Sequence, residues 1–239
     1  MARSAIWMAI AAMLSEEIAA GHYGPGDKLP TESELSQRFG VNRHTVRRAL
    51  AAMAEAGTVH ARRGAGVFVA SKPTDYPLGR RVRFHQNMLV SGRTPSRQML
   101  RLETRASDPR EAEALALPPG APVHLVEGLS LADGVPVAMF RSVFPATRLP
   151  GFLATMAQTN SVTAALAGAG VADYTRSSTQ ITAIAADALL ALHLRLPQAA
   201  PLLRTVAVNV DPGGQPIEFG TTWFAGERVA LTLQAADLS

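Results

Sequence analysis

The chain has 239 residues, of which 47% are hydrophobic, and a formal net charge of +4. This length predicts one large domain or two small ones. It contains no cysteine, which excludes disulfides, thiolate metal sites and cysteine nucleophiles. No run of about 18 apolar residues indicates a membrane span, and the apolar N-terminal segment carries Glu16 and Glu17, which a signal peptide would lack. We therefore expect a cytoplasmic protein without a membrane partner.

Two helices are predicted near the N-terminus. Apolar residues at helical spacing predict the first over residues 5–20, and the run GHYGPGDKLP ends it. Thr31 and Glu34 have the spacing of a capping box, so a second helix is expected to begin after Thr31. Leu35 and Phe39 lie on one face of that helix and predict its buried side.

A third helix and a β-ribbon follow directly. Gly40 ends the second helix, and Asn42 or Arg43 begins the third, whose apolar stripe comprises Val46, Ala49, Leu50 and Met53. Gly57 closes it, and residues 58–70 predict two short strands around a glycine-rich turn. Three helices followed by a β-ribbon are the order of elements in a winged helix-turn-helix.

The polar face of the third helix has the chemistry of a DNA-reading surface. Side chains near the N-terminus of a helix read base edges in the major groove, and Arg43, His44 and Arg47 have that position. Arg48 shares a face with His44 because they are four residues apart. A solvated helix face is the alternative for any one arginine-rich helix, but the ordered set of elements favours DNA binding.

Two further groups of residues would support that surface. Thr31 and Ser33 begin the second helix, where hydroxyls and backbone N–H groups can hold a phosphate. Side chains and glycines at the turn of the wing would approach the duplex closely, namely Arg62, Arg63, Gly64 and Gly66. A nucleotide-binding loop is a weaker interpretation of these glycines, because no Walker lysine or helix follows them.

The rest of the chain predicts a second, α+β domain. The run SKPTDYP (71–77) indicates a linker, which we place at 73–79, between a DNA-binding domain at 1–72 and a second domain at 80–239. Residues 115–144 resemble residues 194–224, each with a short helix, an LPxxAP turn and a hairpin. Two such units predict one antiparallel sheet with helices on one side.

The segment of about residues 6–70 contains the motifs LPTESELSQRFGVNRHTVRRAL and ARRGAGVFVA. This segment resembles the DNA-binding domain of the GntR family of bacterial transcription regulators. The segment from about residue 84 onwards contains the motifs SGRTPSRQML, LPPGAPV, LADGVPVA and GQPIEFGTTWFAGERV. It resembles the UTRA ligand-sensing domain of the HutC-like branch of that family. That resemblance implies a chorismate-lyase-like fold, an antiparallel sheet with helices. GVADYTRSSTQITA, VNVDPGGQPIEFG and FPATRLPGF are most similar to regulators of phosphonate metabolism.

The resemblance also implies DNA contacts, a homodimer on an inverted-repeat operator, and no cofactor. The family's contacts fall on Asn42, Arg43, His44, Thr45 and Arg47 in the third helix, and on Arg63, Gly64 and Gly66 in the wing. Many relatives have an arginine at the position of Ser33, so this chain departs from the family's pattern there.

The second domain carries no recognisable catalytic set. Its histidines do not pair at metal-ligand spacing, and it has no GxSxG motif. The resemblance instead implies an effector pocket formed by Ser91, Gly92, Ser130, Arg141, Tyr174, Arg176, Ser178, Glu218 and Phe224. An Arg-x-Arg that binds sugar phosphates in relatives is replaced here by Gly128 and Ser130, so Arg141 and Arg176 are the alternative partners for an anion.

The sequence thus predicts a transcription regulator with a small anionic metabolite as effector, and it favours a repressor over an activator. Two alternatives remain open at this point. One is a chorismate-lyase-like enzyme fused to a DNA-binding module, since fold does not carry activity. The other is a constitutive DNA-binding dimer whose second domain only dimerises.

Overall fold

The computed structural model of the protein describes residues 2–62, 64–70, 73–81 and 84–233, with only the backbone described for residues 2–5 and 62. The chain divides into two compact units, Met1–Lys72 and Pro73–Ser239. In the part of the chain that is described, no helix combines the length and the apolar character needed to cross a bilayer.

The first unit has the elements of a winged helix-turn-helix. They are α1 (Ala2–Ala19), α2 (Glu32–Phe39), α3 (Arg43–Glu55), β1 (Val59–Arg62) and β2 (Gly66–Val69). Strands β1 and β2 pair antiparallel and form the wing. The capping box of Thr31 with Glu34 is confirmed, and Gly40 ends α2 in the left-handed conformation that glycine adopts without strain.

One hydrophobic core holds the first unit together. The predicted stripe of α3 is fully buried, with Val46 and Ala49 at 0% exposure, and it packs against Leu14 of α1 and Leu35 of α2. Since each buried aliphatic side chain contributes roughly 1.5–3 kcal/mol, this stripe fixes the rotation of α3 about its axis. The opposite, polar face of α3 is therefore turned to solvent.

The second unit is built on a six-stranded antiparallel sheet with the order β4-β5-β6-β9-β8-β7. Its strands are β4 (Pro95–Ala106), β5 (Pro122–Ala132), β6 (Val135–Pro145), β7 (Thr175–Ala185), β8 (Pro201–Val210) and β9 (Pro216–Ala225). Its helices are α4 (Phe84–Val90), α5 (Pro109–Ala114), α6 (Phe152–Thr159), α7 (Val162–Gly168) and α8 (Ala188–Leu194). A 3-10 turn, Ala146–Arg148, follows β6.

The two predicted repeat units form the two halves of this sheet. Each half contributes three strands preceded or interrupted by short helices, and the halves meet where β6 pairs with β9. The predicted hairpin at Asp133-Gly134 is confirmed, because both residues have the positive φ that a tight β-turn needs. The helices lie on both faces, however, and not on one side as expected. Helices α6 and α7 pack on the face of Val126 and Phe140, and α8 packs on the face of Leu129.

The segment predicted as a linker, 73–79, contains a strand instead. Strand β3 (Thr74–Pro77) pairs in parallel with β10 (Val229–Thr232) inside the second unit. Tyr76 and Leu78 are buried there, beside Phe224. The sequence-based prediction was wrong here because the partner of this strand lies about 150 residues further along the chain, where local composition gives no sign of it.

Candidate nucleic-acid interface and ligand cavity

The start of α3 is fixed by its own side chains. Asn42 is the N-cap, and its Oδ1 accepts hydrogen bonds from the backbone N–H and the hydroxyl of Thr45, at 2.9 and 3.0 Å. Such a cap satisfies one of the N–H groups that a helix leaves unpaired at its first turn. The cap presents the exposed Arg43 and His44 at the N-terminal end of α3.

Two of the candidate arginines have partners on α2. Arg43 donates to the hydroxyl of Ser33 at 2.9 Å. Arg47 makes a bidentate ion pair with Glu32, with Nε and Nη2 at 2.9 and 2.7 Å from the carboxylate oxygens. The hydrogen bond from Arg47 lowers the pKa of Glu32, which keeps the carboxylate charged. The polar face of α3 is thus tied to α2 at two points.

The other predicted contacts have different surroundings. The guanidinium of Arg48 lies over the ring of Trp7, 4.8 Å from its centroid, so α1 and not α2 positions it. The Thr31 hydroxyl donates to Glu34 at 2.7 Å and accepts from its backbone N–H, so its hydrogen-bonding capacity is used by the cap. The backbone N–H of Thr31 also donates to Glu34, at 2.7 Å. Both donors of Thr31 are therefore used by the cap, which makes it a structural residue with no donor left for a phosphate oxygen.

The wing brings glycine backbone to its tip. Gly64 has a φ of +77°, and a Cβ on Gly66 would lie 2.7 Å from the side chain of Lys28. Arg62 ends β1, and Gly66 is its cross-strand partner. Arg63 lies outside the described residues. Lys28, which the sequence did not single out, is thus brought beside the wing.

A cavity of about 720 Å³ lies on the sheet face that α6 and α7 cover. Five of the predicted effector residues line it, namely Ser130, Tyr174, Arg176, Glu218 and Phe224. The first strand of each repeat half contributes one arginine, Arg97 from β4 and Arg176 from β7. Such a mixture of aromatic walls and a few convergent polar groups is typical of a small-molecule site.

Neither cavity arginine makes a direct ion pair within the described part of the chain, although the charge of Glu218 acts on Arg97 from a longer distance. Arg97 lies over the rings of Phe84 and Phe140, at 5.8 and 5.2 Å from their centroids, and no described carboxylate reaches it within 4 Å. Arg176 has a buried Nε for which no hydrogen-bond partner exists among the described residues. Burial lowers the pKa of Arg97 from its usual value. Burial raises the pKa of Tyr76, which lines the same cavity, to about 12, against the opposing effect of the charges of Arg176 and Arg97.

Glu218 supplies a negative charge to the same cavity. Its two carboxylate oxygens accept hydrogen bonds from the hydroxyl of Ser142 and from Nδ2 of Asn209, each at 2.7 Å. Both donors are neutral and more than 90% buried. The carboxylate is therefore held in one position by two neutral donors.

Four predicted effector residues do not line the cavity, and these predictions were wrong for it. Arg141 lies between Phe140 and Ser142, which both face the cavity, so strand alternation turns it to the opposite face. There it lies 3.5 Å from Glu127. Ser178 is exposed on the edge strand β7, after an irregularity in its pairing.

The other two, Ser91 and Gly92, form the turn that follows α4. The Ser91 hydroxyl donates to backbone oxygens of Asp75 and Asn87, at 3.2 and 3.0 Å, and Gly92 has a φ of +70°. Ser91 and Gly92 therefore shape the turn from α4 into β4 and do not reach the cavity.

Sequence reasoning missed Arg97, Ser142 and Asn209, although the repeat contained a signal for them. Arg97 and Arg176 are 79 residues apart, as are Ser130 and Asn209 and the two LPxxAP turns. Arg97 pairs across the strands with Ser130, and Arg176 pairs with Asn209. The repeat thus extends into β4 and β7 and relates the two arginines.

Comparison with known proteins matches both units. The family model for bacterial regulatory proteins of the gntR family matches residues 8–69, and the model for the UTRA domain matches residues 90–230. An uncharacterized HTH-type transcriptional regulator of Rhizobium meliloti is 38% identical, over 96% of this chain and 95% of its own length. The probable transcriptional regulator PhnF of Escherichia coli is 33% identical, over 94% of this chain and 93% of its own length.

The fold agrees with that of a solved relative. The crystal structure of PhnF from Mycobacterium smegmatis superposes with a TM-score of 0.65 at 28% sequence identity. The match covers 94% of this chain and 97% of that protein. The relatives and the domain models are those of transcription regulators, and none of these is an enzyme.

Proposed function

This chain belongs to the gntR family of bacterial regulatory proteins and carries a UTRA domain, and from that membership we propose that it is an effector-responsive repressor. As a member it is a DNA-binding transcription regulator and not an enzyme. The protein acts in the bacterial cytoplasm and binds DNA as a homodimer. Its operator is an inverted repeat, because a two-fold dimer presents two reading helices to two symmetric half-sites.

The α3 helix reads the operator. Arg43 and His44 lie at its exposed N-terminal end and enter the major groove, with Asn42 and Thr45 behind them. Arg47 reaches a base by exchanging its pairing with Glu32 for one with DNA. Ser33, Arg48 and the wing residues Arg62, Arg63, Gly64 and Gly66 contact the phosphate backbone, which positions the helix without reading sequence.

The effector is a small anion that occupies the cavity of the second unit. The observation that carries this proposal is the pair of half-buried guanidinium groups, Arg97 and Arg176, which have no described carboxylate within ion-pair distance. A phosphonate or phosphate group accepts bidentate hydrogen bonds from arginine, and the sequence similarity to regulators of phosphonate metabolism favours a phosphonate. Binding of the effector releases the operator, because the effector prefers the arrangement of the dimer in which the two reading helices do not fit the two half-sites.

The DNA-binding part is tested by fluorescence anisotropy with DNA from upstream of the protein's own operon. Affinity is measured at two salt concentrations against a scrambled sequence, because phosphate contacts depend on salt. We expect Arg43→Ala to weaken operator binding by at least tenfold. Arg38→Ala is the matched control, since it removes an equal charge from a side chain that pairs with Glu17 on α1. Equal losses in the two variants would contradict base reading by Arg43.

The effector part is tested on the same complex by titration with inorganic phosphate, alkyl phosphonates and sugar phosphates. Release of the operator by one anion in the wild type, and its loss in Arg176→Gln, are the expected results. Unchanged release in Arg176→Gln would remove the cavity from the proposal, and operator binding that no anion alters would favour a constitutive repressor.

A further inference from the structure

The Glu218 carboxylate is a negative charge without a direct ion-pair partner among the described residues, and the charge of Arg97 acts on it only from a longer distance. No described lysine or arginine lies within ion-pair distance of it, and its hydrogen bonds come from neutral groups of Ser142 and Asn209. A carboxylate has about four acceptor positions, so two remain for a ligand. Keeping a half-buried carboxylate in place without a cation in contact with it costs free energy, which a cationic ligand group would offset.

The fold itself does not require this carboxylate. In the first repeat half the position that corresponds to Glu218 is Ala138, in the same place of its hairpin after the turn and the proline. Arg97 and Arg176, by contrast, occupy equivalent positions in both halves. Glu218 is therefore the charge that makes one end of the cavity different from the other.

The pairing of strands places Glu218 near Arg176 but not within ion-pair distance of it, and the same holds for Arg97, whose pKa burial lowers and the Glu218 charge raises. Arg176, Asn209 and Glu218 lie side by side on β7, β8 and β9, so the Cα atoms of Arg176 and Glu218 are roughly 10 Å apart. Asn209 stands between them and donates to the carboxylate. The gap leaves room for a ligand whose opposite charges are separated by a few bonds.

We propose that the effector is zwitterionic, with an anionic head bound by Arg97 and Arg176 and an ammonium group bound by Glu218. This proposal rests on the proposed function, since it names the class of ligand for the same cavity. Two guanidinium groups and one carboxylate complement a doubly charged anionic head with one ammonium group. A hydroxyl group would fill an acceptor position of Glu218 but leave its charge uncompensated.

The test uses isothermal titration calorimetry on the full-length protein with three pairs of probes. Within each pair a hydrogen is replaced by an ammonium group: ethylphosphonate and 2-aminoethylphosphonate, ethyl phosphate and phosphoethanolamine, propionate and β-alanine. The three pairs distinguish phosphonate, phosphate ester and carboxylate as the anionic head. We expect the amino compound of the preferred pair to bind about tenfold more tightly, since a hydrogen bond between charged groups is stronger than a neutral one.

Glu218→Gln is expected to abolish this preference while the simple anion keeps its affinity. Gln has nearly the same shape, and circular dichroism checks that the variant folds. Glu127→Gln is the matched control, because it replaces a carboxylate by the same amide on the opposite face of the sheet, beside Arg141. It is expected to retain the preference.

The outcomes separate this inference from the proposed function. Equal affinities within every pair, or a preference that survives in Glu218→Gln, would overturn the zwitterion and leave an anionic effector in place. If no probe of any pair binds the wild-type protein, the zwitterion is rejected, and the operator titration with inorganic phosphate and sugar phosphates decides whether the effector is anionic.

Discussion

At the scale of the residue, Arg47 has two possible partners. In the free protein it is held by Glu32, and this bidentate pair is exposed to solvent on the surface that would face DNA. Exposed ion pairs are weak and are screened by salt, so a base edge can displace the carboxylate. Until that happens, Glu32 both aims the guanidinium and repels phosphates. Arg47 should therefore contribute more binding free energy with operator DNA than with non-specific DNA.

Glu32→Gln is accordingly expected to raise affinity for scrambled DNA and to reduce the preference for the operator. Removing one negative charge beside the duplex should also make the slope of log K against log salt steeper. Anisotropy titrations over a range of salt concentrations measure both effects. Glu17→Gln is the control, because it removes an equal charge from the pair with Arg38. A slope and a preference equal to those of the wild type would contradict the role of Glu32.

Gly128 lies at a crowded position of the sheet. A Cβ at this position would lie 2.7 Å from the backbone oxygen of Gln98 and 2.9 Å from the ring of Phe140. Phe140 packs against this glycine and also supports Arg97. Any side chain at this position would therefore need a different packing of the cavity wall.

We expect Gly128→Ala to destabilise the protein by roughly 1–3 kcal/mol, because a backbone atom cannot move away at low cost. Denaturant unfolding of the second unit measures this change. Gly168→Ala in α7 is the control, since its Cβ would meet only Thr155, at an ordinary distance of 3.6 Å. It should remain within about 1 kcal/mol of the wild type or be more stable. Equal stability of the two variants would show that Gly128 tolerates a side chain.

At the scale of the element, the start of α3 combines a structural and a functional task. Asn42 accepts the hydrogen bonds that begin the helix, and it stands beside the residues proposed to read DNA. Substitutions at a cap usually mix these two effects. Aspartate separates them, because it caps a helix as well as asparagine does but brings a negative charge.

Asn42→Asp should unfold at the wild-type temperature but bind the operator more weakly, since its charge would oppose the phosphates. Asn42→Ala should lose about 1 kcal/mol of stability, the usual cost of a missing cap. Thermal unfolding and anisotropy on both variants provide the comparison. Operator affinity unchanged in Asn42→Asp would place this residue away from the DNA.

At the scale of the whole molecule, the two units have separate cores and one tryptophan each. Trp7 packs against the core of the first unit, and Trp223 packs against a core of the second. An effector that binds only the second unit should stabilise that unit by mass action, by about 2.7 kcal/mol at a hundredfold excess over Kd. The tryptophans allow the units to be followed one at a time.

In the Trp7→Phe variant, fluorescence reports the second unit alone, and a bound anion should raise its unfolding temperature. In Trp223→Phe, fluorescence reports the first unit, and we expect no shift. The anion for this experiment is the one that releases the operator in the titration described above. Equal shifts in the two variants would show that the units unfold together, and a shift only in Trp223→Phe would place the ligand in the first unit.

The sequence by itself determined the winged helix-turn-helix, from caps, stripes and glycines within a few residues of one another. Thr31 with Glu34, Gly40 and Asn42 each act on neighbours three or four positions away, so the local pattern was sufficient. The hairpins of the second unit were predicted for the same reason, because the turn at Asp133-Gly134 and the alternation around it are local.

Only the tertiary structure decided the cavity and the pairing of β3 with β10. Arg97, Ser142, Asn209 and Glu218 come from four strands, and they meet because strand order and register bring them to one face. A shift of one residue turns a side chain to the other face, which is why Ser142 enters the cavity while Arg141 leaves it. The local sequence does not determine which face of the sheet each side chain occupies, since this depends on which distant strand supplies the pairing partner.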